Sequence, residues 1–186
     1  GETNWNRDGI IQGWTDTALN ETGHRQARDV GDALARDLAA FSDFDFIVSP
    51  MIRTRQTMQY IRVALGASEQ PLAIEPAVKE LGFGTWEGKP FWELKASPVY
   101  PADPINRFSW RPNGGESYAD GNARLQDWLA ARKRPSIVVA HGAIGRCLIG
   151  MLTGAQTRDL METRMRQGAY CLIEHGKAAW FDARTA

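Results

Sequence analysis

Residues 136–152 read SIVVAHGAIGRCLIGML, and this stretch decides the fold class. Ser136–Ala140 is a run of branched apolar residues, which is typical of a strand buried on both faces. It passes directly into His141-Gly142, and a helix is predicted from there through about Leu152. A buried strand that turns at once into a helix is characteristic of α/β proteins.

Further strands and helices are indicated on both sides of this unit. Strands are predicted at FDFIVS (44–49), at LAIEP (around 72–75), and near YCLIE and AAWFD (170–174 and 178–182). Helices are predicted at 21–41, capped by Asn20 or Thr22, at the segment with Thr54, Met58, Ile61 and Leu65 on one face, and after Ser117. The alternation favours a three-layer α/β/α fold with a mainly parallel central sheet. We expect a single domain over 1–186, with an irregular insertion at about 82–115.

Composition excludes several classes of protein. Lys plus Arg and Asp plus Glu are both 22, so no overall basic field attracts nucleic acid or anionic lipid. No apolar run approaches the roughly 20 residues that cross a bilayer. Cys147 and Cys171 lie far apart and outside any zinc-binding pattern, which indicates neither a disulfide framework nor a metal site. A reducing, cytoplasmic location fits these features best.

Three polar residues follow the carboxyl ends of predicted strands, where ligands collect in open α/β sheets. They are Arg53, Glu80 and His141. Each has an ordinary structural explanation: a surface arginine, a solvated loop glutamate and a hydrogen-bonded core histidine. Together, a guanidinium, a carboxyl and an imidazole suit an anion-handling site, with free N–H groups expected from the helix that opens at Gly142. The spacing leaves the reaction open.

Five segments, in order, resemble motifs of the histidine phosphatase (phosphoglycerate mutase-like) superfamily. GETNWN (1–6) is similar to the end of that family's RHGETxWN loop, and SPMIRTRQT (49–57) to its SPLxRxxQT segment. ELGFGTWEG (80–88), PNGGES (112–117) and VAHGAIGR (139–146) resemble its ExxFGxWEG, PxGES and second-histidine motifs. The resemblance runs along nearly the whole chain and implies the phosphoglycerate mutase-like fold.

The resemblance also implies roles for individual residues. Glu80 matches the family's proton donor to the leaving oxygen, Arg53 its second phosphate-pocket arginine, and His141 its second histidine. The loop that contacts the phosphoryl group is matched by Asn6, Gln12 and Gly13. The implied activity is hydrolysis of a small phosphorylated metabolite through a phosphohistidine, with no metal and no cofactor. The family's nucleophilic histidine, preceded by an arginine, stands immediately before the glycine that is Gly1 here. We therefore expect Arg-His, preceded by a short apolar strand, upstream of Gly1, so that this sequence is truncated.

Two alternatives stay open. A phosphoglycerate mutase is less favoured, because the segment Lys89–Gly115 offers no adjacent basic pair and Ile10 stands where many relatives carry arginine. A non-catalytic phosphate binder follows if the histidine is truly absent. The insertion's aromatic residues either pack over the sheet edge or wall the substrate pocket; they are Trp86, Phe91, Trp92, Tyr100, Phe108 and Trp110. A homodimer is left open.

Overall fold

The secondary structure alternates between strands and helices through most of the chain. A computed structural model describes residues 1–38 and 40–183 of the protein. Its helices are α1 (Asn4–Arg7), α2 (Glu21–Asp37), α3 (Ile52–Ala64), α4 (Phe91–Ala96), α5 (Pro104–Ser109), α6 (Tyr118–Ala130), α7 (Gly142–Thr153) and α8 (Thr157–Glu162). Its strands are β1 (Asp45–Val48), β2 (Leu72–Ile74), β3 (Ser136–Val139), β4 (Ala169–Glu174) and β5 (Lys177–Asp182). Across these described residues, no helix is both long and apolar enough to cross a membrane.

The central sheet is parallel, as predicted. Its strand order is β2-β1-β3, with Phe46 opposite Leu72 on one side and Ile137 on the other. Strands β4 and β5 pair with each other in an antiparallel hairpin, which forms a second sheet. Because the three strands of the central sheet run the same way, their carboxyl ends meet at one edge.

Helices cover both faces of the central sheet. Alternate residues of β1 point to opposite sides, so Phe46 and Val48 pack in one core and Ile47 in another. The first core contains residues of α2 and α3, including Leu34 and Met58. The second contains residues of α6 and α7, and the three-layer α/β/α prediction is therefore confirmed.

Local capping chemistry sets the helix boundaries. Asn20 caps α2 through the Gly23 N–H, and Ser117 caps α6 in a capping box with Asp120. Helix α2 ends at Asp37 rather than at Phe41 as predicted, and Ala39 in that interval lies outside the described residues. The single-domain prediction extends to 184–186, which also lie outside the described residues, and stays a prediction.

The insertion at 82–115 contains more regular structure than its composition predicts. It holds α4, α5 and a 3₁₀ turn at Gly84–Trp86. Tyr100 makes edge-to-face contacts with Phe91 and Trp110, and Phe108 stacks on Tyr118. These aromatic residues therefore pack on one another and on Tyr118 of α6, and their packing over the sheet edge stays a prediction.

Candidate active site

Arg53 is the central cation of the site. It lies in the first turn of α3, directly beyond the carboxyl end of β1, and is only 6% exposed. Its guanidinium donates to the carbonyls of Thr15 and Gly13, both at 3.0 Å, and its Nε lies 3.3 Å from His141 Nδ1. Burial lowers the pKa of Arg53, while the nearby carboxylates of Glu80, Asp16 and Glu87 act to raise it. These contacts engage three of an arginine's five N–H groups, which leaves donors for an anion.

His141 is held between Arg53 and a buried serine. Its Nε2 lies 2.7 Å from the hydroxyl of Ser49, which is fully buried at the end of β1. Because Arg53 Nε always carries a proton, Nδ1 accepts and Nε2 holds the ring proton in the neutral imidazole. Burial, followed by the positive charges of nearby groups that include Arg53, Arg124 and Lys79, lowers the pKa of His141 well below 6.5. In this arrangement His141 is therefore a neutral imidazole.

Glu80 contacts the first turn of α7, the helix that begins one residue after His141. Its Oε1 accepts from the N–H groups of Leu81 and Ile144, at 3.0 and 3.1 Å, and its Oε2 from that of Ala143 at 3.2 Å. The expectation of free N–H groups at this helix was wrong for Ala143 and Ile144, because the Glu80 carboxylate occupies them. A carboxylate at a helix N-terminus is favoured by the same partial positive charge that would attract a phosphate.

The N-terminal loop supplies the backbone around Arg53. Gly13 has φ +51°, and a Cβ there would lie 2.2 Å from Glu87 Oε1, so glycine is needed for both conformation and space. Gln12 Oε1 accepts hydrogen bonds from the hydroxyls of Thr3 and Thr17. The Gly13 carbonyl therefore accepts a hydrogen bond from Arg53, whereas Gln12 forms its hydrogen bonds within the loop itself.

Asn6 has a local structural role in this arrangement. It forms a capping box with Thr3 at the start of α1, where its Oδ1 accepts from the Thr3 N–H at 3.0 Å. Of the predicted residues, Arg53 contacts His141 and Gly13 directly, and the Glu80 carboxylate lies near enough to Arg53 to raise its pKa. The phosphate-contacting roles of Asn6 and Gln12 stay predictions.

Sequence reasoning missed several residues that hold this site in place. Ser49 and Glu87 both lie within the quoted motifs, but nothing in their spacing distinguished them from their neighbours. Trp14 Nε1 donates to the Glu80 carbonyl at 2.8 Å. Arg124 donates to the carbonyls of Ala77 and Lys79 and pairs with Glu116, which braces the same loop. Among the residues that the structure describes, 1–38 and 40–183, no group of three or more His, Cys, Asp or Glu side chains could hold a metal ion.

The fold and the site define an α/β protein in which an arginine, a histidine and a glutamate lie together at the carboxyl edge of a parallel sheet. The sequence profile of the histidine phosphatase superfamily (branch 1) matches residues 1–184, and the chain belongs to that family. Because its relatives in this family are named as mutases and phosphatases, the chain is an enzyme of the family. A 2,3-bisphosphoglycerate-dependent phosphoglycerate mutase of Methylobacterium radiotolerans is 31% identical, with 90% of this chain and 82% of the relative covered.

Other matches include named phosphatases. The uncharacterized phosphatase PhoE of Bacillus subtilis is 31% identical, with 97% of this chain and 87% of the relative covered. Among solved structures, a mycobacterial glucosyl-3-phosphoglycerate phosphatase in complex with VO3 superposes with a TM-score of 0.78. It is 23% identical, with 97% of this chain and 92% of that chain covered, and this likeness shows the fold.

Proposed function

We propose that this protein is a phosphoric monoester hydrolase that acts on a small phosphorylated metabolite through a phosphohistidine intermediate. The observation that carries the proposal is the convergence of Arg53, His141 and Glu80 at the carboxyl edge of the parallel sheet. Phosphoryl transfer depends mainly on positioning and on dispersing charge over the equatorial oxygens. An arginine anchored by two backbone carbonyls, beside a histidine and a carboxyl, supplies both.

The backbone of Gly1 lies beside the Arg53 pocket. The Gly1 nitrogen lies 3.3 Å from the hydroxyl of Thr57, and that hydroxyl donates to the Arg53 carbonyl at 2.9 Å. The segment that resembles the family's RHGETxWN loop therefore begins next to the pocket, and we infer that the histidine of this motif takes the phosphoryl group.

The reaction then proceeds in two balanced steps. In the first, a ring nitrogen of the motif histidine forms a bond to phosphorus, the bond from phosphorus to the substrate oxygen breaks, and Glu80, which enters this step as the carboxylic acid, gives its proton to that oxygen. In the second, water attacks phosphorus, the N–P bond breaks, and Glu80 takes the proton from water. Arg53 and His141 stabilise the charge on the transferring group in both steps.

The test uses the full-length protein and two substrates that differ in leaving group. Glu80→Gln should slow hydrolysis of an alkyl phosphate more than that of p-nitrophenyl phosphate, because nitrophenolate leaves without a proton. Arg53→Ala and His141→Ala should each lower kcat/KM by on the order of 100-fold on both substrates. Equal losses with Glu80→Gln on the two substrates would remove Glu80 from the donor role. Absence of any phosphate release by the wild-type protein would overturn the hydrolase proposal.

Phosphoglycerate mutase activity is the second candidate, and the relatives named as mutases favour it. In a mutase the acceptor in the second step is a hydroxyl of the phosphoglycerate instead of water. Incubation with 3-phosphoglycerate and 2,3-bisphosphoglycerate, followed by separation of the isomers, distinguishes the two activities. Formation of 2-phosphoglycerate faster than phosphate release would support the mutase.

A further inference from the structure

The Glu87 carboxylate accepts four hydrogen bonds, three of them from the loop that surrounds Arg53. Its Oε1 accepts from the N–H groups of Trp14 and Phe83, at 2.9 and 3.0 Å. Its Oε2 accepts from the N–H and the hydroxyl of Thr15, at 3.1 and 2.9 Å. One carboxylate thus ties together the loop at 13–15 and the first turn of the insertion.

The residues that Glu87 holds are the same ones that orient Arg53. Arg53 donates to the carbonyls of Gly13 and Thr15. The N–H groups of Trp14 and Thr15, in the same short stretch of backbone, donate to Glu87. A shift of the loop therefore moves both acceptors of the guanidinium at once. Because Arg53 Nε also contacts His141, the orientation of the histidine follows that of the arginine.

Backbone pairing extends this connection into the insertion. The N–H of Ile11 donates to the Lys89 carbonyl and that of Gly88 to the Ile11 carbonyl, both at 2.9 Å. The Phe91 N–H donates to the Gly9 carbonyl at 2.8 Å, and Ile10 and Pro90 form an antiparallel bridge. Backbone hydrogen bonds thus connect the segments 9–15 and 83–91, with Glu87 at the end nearest Arg53.

We propose that Glu87 is a positioning residue that sets the orientation of the Arg53 guanidinium toward the bound phosphoryl group. It acts through the carbonyls of Gly13 and Thr15 and does not itself touch the substrate. The inference rests on the proposed function, since it assigns Arg53 to the phosphoryl group. A glutamine at this position puts an NH₂ group where one pair of donors now points, so the loop has to shift.

A double-mutant cycle tests the proposal with the full-length protein and p-nitrophenyl phosphate. Glu87→Gln should lower kcat/KM by on the order of 10- to 100-fold and weaken competitive inhibition by inorganic phosphate. In the Arg53→Ala background, the same substitution should change kcat/KM by less than about threefold, because its target is already absent. Glu93→Gln, in the first turn of α4 within the same insertion, is the matched control and should leave both values unchanged.

The outcomes separate the inference from the proposed function. If the wild-type protein neither releases nor binds phosphate, the proposed function fails. If the wild type is active but Glu87→Gln costs the same factor with and without Arg53, Glu87 acts on stability alone and the inference fails. If Glu87→Gln does not fold, Glu87→Asp keeps the charge but is shorter by one methylene, and full activity in that variant overturns the inference.

Discussion

Replacing Gly13 by alanine should lower both the free energy of unfolding and kcat/KM. Two effects follow from the structure. Alanine at φ +51° occupies the left-handed region, which costs about 1–2 kcal/mol in free energy of unfolding. In addition, the new Cβ would lie 2.2 Å from Glu87 Oε1 and 2.9 Å from the Phe83 nitrogen, so the carboxylate or the loop has to move.

The size of the second effect can be estimated from the contacts that are lost. Oε1 must retreat by roughly 1 Å to reach ordinary van der Waals distance, which breaks its hydrogen bonds to Trp14 and Phe83. Because Trp14 is 44% exposed and water can replace part of these bonds, we expect a further loss on the order of 2 kcal/mol. A displacement of about 1 Å at Arg53 should lower kcat/KM by on the order of 100-fold.

Gly66→Ala is a matched control for backbone strain. Gly66 has φ +65°, and no atom lies within 4 Å of the position its Cβ would take. We expect Gly66→Ala to lower Tm by about 2–8 °C, as 1–2 kcal/mol does in a chain of this size, with kcat/KM unchanged. Thermal unfolding and p-nitrophenyl phosphate hydrolysis below Tm measure both quantities. If Gly13→Ala matches Gly66→Ala in both assays, the contact between Gly13 and Glu87 has no functional weight.

Three further outcomes are expected. The pKa of His141 is lower in the folded protein than its ordinary value of about 6.5, so in acid the unfolded chain binds a proton at this residue more readily than the folded chain does. The free energy of unfolding should therefore fall as the pH decreases below about 6.5. Urea titrations should show a weaker decline for His141→Asn. Ser49→Ala removes the 2.7 Å contact to His141 Nε2 and should cost about 1 kcal/mol while shifting the acidic limb of the pH–rate profile; an unchanged profile would show that Ser49 does not set the state of the ring. Burial raises the pKa of the Cys147 thiol to about 12, so a thiol reagent at pH 8 should label Cys171 first, and rapid modification of Cys147 in the native protein would contradict its burial.

The elements that sequence reasoning located correctly are those specified by local chemistry. Ser136–Val139 lies in the sheet as predicted because a run of branched apolar residues has few other stable environments. Ser117 caps α6 because its hydroxyl and the Asp120 carboxylate are three residues apart, within reach of each other in any helix start. Short helices such as α8 were missed, since six residues give too little periodicity to detect.

The presence of a glycine inside α6 is explained by its tertiary contacts. Gly121 is an unfavourable residue for the interior of a helix, yet α6 runs through it. A Cβ at that position would lie 2.7 Å from Leu81 Cδ2 and 3.2 Å from Cys147 Sγ. Glycine is therefore present for close packing between α6, α7 and the Glu80 loop, and not to end the helix.

The sequence by itself determined the order of the strands and the longer helices, the parallel sheet, and the placement of Arg53, Glu80 and His141 at its carboxyl edge. Those features follow from periodicities and caps within a few residues of chain. Only the tertiary structure decided how the three side chains are held. Glu87 meets Thr15 across 72 residues, His141 meets Ser49 across 92, and Glu80 occupies the N–H groups expected to be free. Contacts over such separations depend on how the whole chain packs, and no local pattern in the sequence specifies them.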